Sequence, residues 1–302
     1  MILKLAIAGL VAVSFAGCSS DAGEGNTNEV VVTYSVLGSL VSELVGDAAT
    51  VRVIIPDGSD LHTFSPSAKD VEAMTNAKLV VANGLHLEEG LEDVLDTLPE
   101  EQLFFAGDHL TIRTMDGSDD GHNHEGESTK DSHGHGADDP HFWLSPFAMT
   151  EMLDDLAAAL ESALAIDLTD RAASLIGSLT TLDTEIAGKI SALPACELVT
   201  GHEEMGYFAV RYGCEVIGAV IPASTTNADA SASQLAELKE LVSEHDVRAI
   251  FSGVGTPANV AEQIAKETGV PLVEISTHVM GDDDTYASFM TRFVDTLVGA
   301  LS

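Results

Sequence analysis

Short apolar runs alternate with amphipathic segments along most of the chain. In the first half, four mostly apolar runs predict buried strands, over residues 30–34, 50–55, 78–82 and 102–106. Helical periodicity begins between them, near Leu37, Ser67 and Glu88. Buried strands that alternate with amphipathic helices are typical of a parallel sheet covered by helices. Residues 29–144 are therefore predicted to form one α/β lobe with a small, mostly parallel sheet.

The same alternation returns after residue 194. Further strands are predicted in the stretches "CELVT", "EVIGAVI", "VRAIFS" and "PLVEIS". Helices are expected over residues 203–212, 231–245, 257–268 and 285–301. Residues 194–302 thus form a second predicted α/β lobe. A chain of 302 residues with 45% apolar content allows two cores, so we expect one core in each lobe.

The segment between the lobes, residues 145–193, has helical periodicity throughout. Ser145 is the expected N-cap of its first helix, with Pro146 at the first helical position. A second helix is predicted over residues 169–193, where leucine and isoleucine recur at spacings of three and four. At 1.5 Å per residue this helix spans roughly 35 Å, a length that suits a rigid backbone helix joining two lobes.

The N-terminus is typical of an exported protein. The stretch "MILKLAIAGLVAVSFAGCSS" has one lysine, an apolar run over residues 5–15 and small residues before Cys18. The run is too short for a membrane span of about 20 residues. "FAGC" resembles the bacterial lipoprotein signal, which implies a signal peptide over residues 1–17, a lipidated Cys18 and a polar tether over residues 18–28. An uncleaved anchor is the alternative, and both place the body outside the cytoplasm.

Two further cysteines, Cys196 and Cys214, each precede a predicted strand of the second lobe. An oxidising compartment permits a disulfide between them. If the two strands are parallel neighbours, their starts lie side by side, close enough for that bond. A pair of free buried thiols is the alternative.

The charge balance excludes some partners. The formal net charge is −36, from 49 acidic and 13 basic residues. Nucleic acids and anionic membrane surfaces attract clustered Lys and Arg, so neither is an expected partner. Cations are favoured, although dispersed carboxylates also serve simply to keep an exported protein in solution.

Four of the eleven histidines follow predicted strands or lie in the loops after them. They are His62, His141, His202 and His278, two from each lobe. Ligands of open α/β sheets gather beyond the carboxyl ends of the strands, so we expect these imidazoles to meet in the cleft between the lobes. Neutral imidazoles suit Zn²⁺ well. Elsewhere, His86, His109 and His245 are expected at the surface or at helix ends, and Trp143 against the cleft wall.

Three motifs around these histidines resemble those of the substrate-binding proteins of bacterial zinc and manganese ABC transporters. They read "GSDLHTFSPSAKD", "DPHFWLSP" and "GHEEMGYFAVRYG", and the resemblance covers essentially the whole mature chain. It implies two α/β lobes joined by a rigid helix, with a metal in the cleft that is delivered to an ABC permease and its ATPase subunit. A monomer is expected. The motifs imply that His62, His141 and His202 are metal ligands.

The third motif bears on which metal is bound. Manganese members of the family tend to have Glu at the third ligand position, so His202 favours zinc, although a manganese- or iron-binding member remains the alternative. The family's commoner fourth ligand is an Asp, and Ser276 stands in its place here. A neutral hydroxyl is a weak zinc donor, so we predict His278 as the fourth ligand. Asp60 is the runner-up, and one of Asp282, Asp283 and Asp284 is a more distant choice. Protons are expected to weaken binding as the pH falls through about 6.5.

A polar insertion over residues 116–139 carries four more histidines. They are His122, His124, His133 and His135. Zinc members of the family often have a His-rich loop here, which implies a flexible secondary metal site. The alternative is a solvated loop without a metal role, because a flexible site must offset its ordering entropy before it binds.

A zinc hydrolase and an adhesin are the alternatives from other classes of function. A zinc hydrolase needs an open coordination position and a general base, for which Glu203 or Glu204 would serve. "HEEMG" begins like the helix of a zinc protease, but Gly206 stands where the second His is required. An adhesin would need an adhesive repeat, which the sequence lacks. We therefore expect a carrier of Zn²⁺ and not an enzyme.

Overall fold

The computed structural model describes residues 28–115 and 138–302. The predicted signal peptide and Cys18 lie outside these residues, as do His122, His124, His133 and His135. Across the two described ranges, no helix has both the length and the apolar composition that a membrane crossing requires.

The first lobe contains a four-stranded parallel sheet in the order β2-β1-β3-β4. Its strands are β1 (Glu29–Val32), β2 (Thr50–Val53), β3 (Leu79–Ala82) and β4 (Leu103–Phe105). All four residues of the central β3 are buried. A strand covered on both faces needs apolar side chains at every position, which is why these runs are continuous and do not alternate.

Three helices follow these strands: α1 (Ser35–Val45), α2 (Ala68–Asn76) and α3 (Glu92–Leu95). The prediction that a helix begins near Glu88 is wrong, because the α-helix begins at Glu92. The carboxylate of Glu88 turns back and accepts the backbone N–H groups of Asn83 and Gly84, at 2.8 and 3.3 Å. This segment is therefore a buttressed loop, followed by a short 3₁₀ turn and then α3.

Two long helices connect the lobes: α4 (Pro146–Leu164) and α5 (Thr169–Ser191). The predicted start of α4 is confirmed, since the Ser145 hydroxyl accepts the backbone N–H of Ala148 and Pro146 occupies the first turn. The second helix packs along α4 and also contacts α1 of the first lobe. Its buried stripe consists mainly of Leu175, Leu179, Leu182, Ile186 and Ile190.

The second lobe repeats the strand order of the first, as β6-β5-β7-β8, again all parallel. Its strands are β5 (Glu197–His202), β6 (Glu215–Ile221), β7 (Ile250–Ser252) and β8 (Leu272–Glu274). Its helices are α6 (Gly206–Tyr212), α7 (Ala232–Glu244), α8 (Ala258–Thr268) and α9 (Tyr286–Leu301). Helix α6 begins three residues later than predicted, because β5 continues to His202 and a turn follows it.

A disulfide joins Cys196 to Cys214, with their Cα atoms 4.7 Å apart. These residues directly precede β5 and β6, which are adjacent strands. The closed segment contains β5 and α6, so the bond ties together the strand that carries His202 and the helix that follows it.

The expectation of one core in each lobe is wrong in part. A single large apolar cluster extends from the first lobe through the central helices to one face of the second sheet, where Phe208 and Phe251 join it. The reason is α9, which ends the chain yet packs against both α1 and α5. A smaller cluster, including Val199 and Leu238, covers the other face of the second sheet. The shared core holds the two lobes, and the histidines at their edges, in a fixed relation.

Candidate metal centre

Three histidines converge between the lobes. His62 comes from the loop after β2, His141 from the segment before α4, and His202 from the last position of β5. They are 4%, 1% and 3% exposed, and one nitrogen of each lies within 4.8 Å of the other two. The fold therefore brings together a triangle of buried nitrogen donors.

The hydrogen bonds of this triangle define where its protons lie. Nδ1 of His141 is 2.8 Å from Oδ1 of Asp139, and a carboxylate can only accept there. With both rings neutral, His141 therefore keeps a lone pair on Nε2. Nε2 of His202 lies 3.2 Å from that atom, so the two ring nitrogens face each other. A metal ion held by both rings would be bound through these two atoms.

Asp139 orients His141 and is itself held in place. Its Oδ1 also accepts the backbone N–H of His141 at 3.0 Å, and its Oδ2 accepts from Nη1 of Arg113 at 2.8 Å. Gly206 lies directly against this ion pair, and any side chain there would collide with both partners. Buried carboxylates that orient ligating histidines in this way also raise the basicity of the imidazole. Sequence reasoning missed Arg113 and Asp139, although "DPH" and "DLH" share an Asp two residues before the His.

Asp60 plays the matching part for His62. Its Oδ1 accepts the backbone N–H of His62 at 2.9 Å. Its Oδ2 accepts from the Thr226 hydroxyl of the other lobe at 2.7 Å. The runner-up for fourth ligand thus lines the cavity, but both of its oxygens already have partners.

His278 lines the same cavity but stands apart from the triangle. Its side chain is 7% exposed, and its Nε2 lies 3.2 Å from the carbonyl oxygen of Ser59. Its Nδ1 lies 3.3 Å from the Thr277 hydroxyl. To bind a metal, the ring must release Ser59 and turn toward the other three.

The more distant candidates lie farther from the chemistry. Asp283 accepts from Nε of Arg292, Asp282 and Asp284 are exposed, and the Ser276 hydroxyl donates to the Val279 carbonyl. None of these four lines the cavity that the described part of the chain encloses around His62, His141 and His202.

Burial sets the protonation of the site. It lowers the pKa of His62 to about 3, with a further contribution from the nearby His141. Burial also lowers the pKa of His202 and of His278, and it raises that of Glu204 to about 7. The expectation that protons weaken binding near pH 6.5 assumed ordinary imidazoles and is wrong for His62. Its ring is neutral, and ready for a metal, well below that pH.

A pH-dependent loss of stability follows from these shifts. Between pH 6.5 and 3, the unfolded chain protonates His62 whereas the folded chain does not, so the contribution of His62 to the unfolding free energy falls as the pH falls. From pH 6.5 to 5 we expect His62 to account for about 2 kcal/mol in the metal-free protein. Denaturant unfolding of the wild type and of His62→Gln at both pH values measures it. The raised pKa of Glu204 makes its contribution to the unfolding free energy change with pH in the opposite direction. Glu204 is present in both proteins, so the comparison isolates His62. Equal losses in the two proteins would contradict the expectation.

Trp143 and three further histidines of the described residues lie outside the triangle. Trp143 packs against the cleft wall as predicted, with its ring 5.3 Å from that of His141 and its Nε1 donating to the Thr277 carbonyl. His86 pairs with Glu92, His109 pairs with Asp155, and His245 stands at the C-cap of α7. All three are at the surface or at a helix end, as predicted.

Comparisons with known proteins agree with this geometry. The sequence matches the family described as "Zinc-uptake complex component A periplasmic" over residues 30–300. The zinc-binding lipoprotein AdcA of Streptococcus pneumoniae is 26% identical over 98% of this chain. The zinc-binding protein TroA of Treponema pallidum is 28% identical over 99% of this chain and 96% of that protein. The chain spans 60% of the length of AdcA.

Solved structures show the same architecture. The periplasmic zinc-binding protein TroA of Treponema pallidum has a TM-score of 0.75 at 25% identity, covering 91% of this chain and 99% of that one. A Zn(II)-bound variant of AdcAII from Streptococcus pneumoniae has a TM-score of 0.76 at 24% identity, covering 92% and 100%. The predicted fold, two α/β lobes joined by a long helix, is confirmed.

Proposed function

Because the chain belongs to the family of periplasmic component A proteins of zinc-uptake complexes, we propose that it captures Zn²⁺ outside the cytoplasm and delivers it to an ABC permease. The observation that supports zinc most directly is the triangle of buried, neutral imidazoles formed by His62, His141 and His202. Nitrogen donors favour Zn²⁺ over Mn²⁺, which prefers oxygen ligands. Delivery to the permease and its ATPase subunit, attachment through a lipidated Cys18 and a monomeric state complete the proposal.

The size of the cavity favours a carrier over an enzyme. The space enclosed by the three histidines, Asp60, Glu204 and His278 holds about 10 Å³. That is roughly the room one water molecule needs, enough for a metal ion but not for an organic substrate. The alternative of a zinc hydrolase with Glu204 as its base would require the lobes to part.

Metal analysis of the purified protein tests the proposal. The exported chain, prepared without added metal, is expected to contain one tightly held zinc ion, measured by mass spectrometry under native conditions. Manganese or iron alone would contradict the choice of metal. Turnover of ester or peptide substrates by the zinc-loaded protein would favour the hydrolase instead.

The His-rich insertion is proposed to be a secondary zinc site, and the structure revises its end. It was predicted to span residues 116–139, but Asp138 pairs with Thr114 across the base of the insertion and Asp139 orients His141. Asp138 and Asp139 therefore belong to the surroundings of the main site, and we take the insertion to be residues 116–137.

Deleting residues 116–137 is expected to leave the high-affinity site intact while the zinc stoichiometry falls towards one. Because Thr114 and Asp138 are adjacent, a two-glycine connection can close the gap. Isothermal titration measures both quantities. The matched control deletes residues 116–139 and should weaken the remaining site roughly ten- to a hundredfold, since His141 loses its carboxylate. Loss of all zinc binding in the shorter deletion would mean that one of the four insertion histidines is a primary ligand.

A further inference from the structure

One buried acidic side chain at the cavity has no part in the triangle of histidines. Glu204, two residues after the end of β5, is 3% exposed and lines the cavity. Its Oε1 lies 3.6 Å from Nδ1 of His202. A carboxylate removed from water is costly unless a partner offsets the loss, so the partner of Glu204 in the metal-bound protein needs to be identified.

Nδ1 of His202 is the matching unpaired atom. Among the described residues it is buried without a hydrogen-bond partner, and 3.6 Å is too long for a bond to Glu204. On the other side of the ring, Nε2 faces Nε2 of His141 at 3.2 Å. Nδ1 is therefore the ring nitrogen that is left to interact with Glu204.

Zinc binding would fix the tautomer of this ring. When the ion takes Nε2 of His202, the neutral ring must carry its proton on Nδ1, which lies 3.6 Å from Oε1 of Glu204. Shortening the separation by less than about 1 Å, through a small rotation of either side chain, makes a charge-assisted hydrogen bond. Asp139 already forms this bond with Nδ1 of His141, at 2.8 Å.

We propose that Glu204 is a positioning residue that accepts the Nδ1–H of His202 in the zinc-bound protein. This inference rests on the proposed function and deepens it. Two of the three histidines in the triangle then have their own buried carboxylate, Asp139 two residues before His141 and Glu204 two residues after His202. The Glu204 carboxylate would balance part of the double positive charge of a zinc ion held by neutral imidazoles, whereas that of Asp139 is already paired with Arg113.

The test compares Glu204→Ala and Glu204→Gln with the wild-type chain. Zinc affinity is measured by competition with a chromogenic chelator on the oxidised protein, and Glu215→Ala, at an exposed position of the same lobe, is the control. We expect Glu204→Ala to bind zinc roughly ten- to a hundredfold more weakly. Glu204→Gln keeps an acceptor oxygen and should recover most of that loss. Glu215→Ala should match the wild type.

Two further measurements separate positioning from a structural role. The unfolding free energy of the metal-free protein should be equal or higher in Glu204→Gln, because a desolvated charge is removed. Proton NMR of the zinc-bound wild type should show a slowly exchanging imidazole N–H of His202, which Glu204→Ala loses.

Each contrary outcome has its own meaning. If both variants bind zinc within threefold of the wild type, Glu204 does not position His202, and the proposed function stands. If both lose zinc entirely, Glu204 is a direct ligand and the positioning role is overturned. If affinity and metal-free stability fall together in both, its role is structural. A folded wild type that binds no zinc would instead overturn the proposed function.

Discussion

Replacing His141 by alanine is expected to weaken zinc binding by roughly two to three orders of magnitude. Structural zinc sites supply roughly 10–16 kcal/mol, so each of four ligands carries about 3–4 kcal/mol, and about 1.4 kcal/mol is tenfold in affinity. His141 should lie at the upper end of this range. Its imidazole is the one that Asp139 orients at 2.8 Å, and a carboxylate in this position raises the basicity of the ligand.

Chelator competition on purified protein measures this loss. His109→Ala is the matched control, because His109 also pairs with a carboxylate, that of Asp155, but lies outside the cavity. His141→Gln guards against a simple packing defect next to Trp143, since it keeps most of the side-chain volume. Zinc affinity unchanged in both His141 variants would remove this residue from the site.

The fold was predictable where the signal is local. Strand β3 is a run of four buried apolar residues, and a run of that kind can be recognised without knowing its neighbours. The start of α4 is signalled by Ser145 and Pro146, whose capping roles depend on adjacent residues alone. The predicted start of α6, at residue 203, is three residues too early. Strand β5 ends at His202, and the residues assigned to the first turn of the helix form the turn that follows this strand.

What could not be predicted depends on contacts between distant parts of the chain. The amphipathic pattern of α9 shows that one face is buried but not against what, and α1 and α5 become its partners only in three dimensions. The same holds at the site. Arg113 reaches Asp139 across the insertion, and Thr226 reaches Asp60 from the other lobe. The three histidines of the triangle were identifiable because each sits in its own motif, whereas Arg113 and Thr226 lie outside these motifs.

The two "D-x-H" motifs share a local device that the structure makes visible. In each, the Asp accepts the backbone N–H of the His two residues later, from Asp60 to His62 and from Asp139 to His141. The bond fixes the direction in which the imidazole leaves the backbone. A short-range pattern thereby sets the direction of two imidazoles in a site built from distant parts of the chain.

We predict His278 as the fourth ligand, because both carboxylate oxygens of Asp60 already accept hydrogen bonds. We expect His278→Ala to weaken zinc binding by roughly a hundredfold or more, as the loss of one ligand of four requires. To ligate, the ring exchanges its bond to the Ser59 carbonyl, a net cost of about 1 kcal/mol, for a bond to zinc. Asp60→Asn should cost tenfold or less, because the amide oxygen still accepts from His62 or from Thr226.

X-ray absorption of the zinc-loaded proteins separates the two candidates independently of affinity. With His278 as a ligand, the wild type should show four nitrogen donors at about 2.0–2.1 Å, and His278→Ala should lose one imidazole and gain a water oxygen. Asp60→Asn should leave the spectrum unchanged. If His278→Ala instead binds zinc as the wild type does while Asp60→Asn loses two orders of magnitude, the fourth donor is the Asp60 carboxylate. In that case His278 serves only to tie its loop to Ser59 across the cleft.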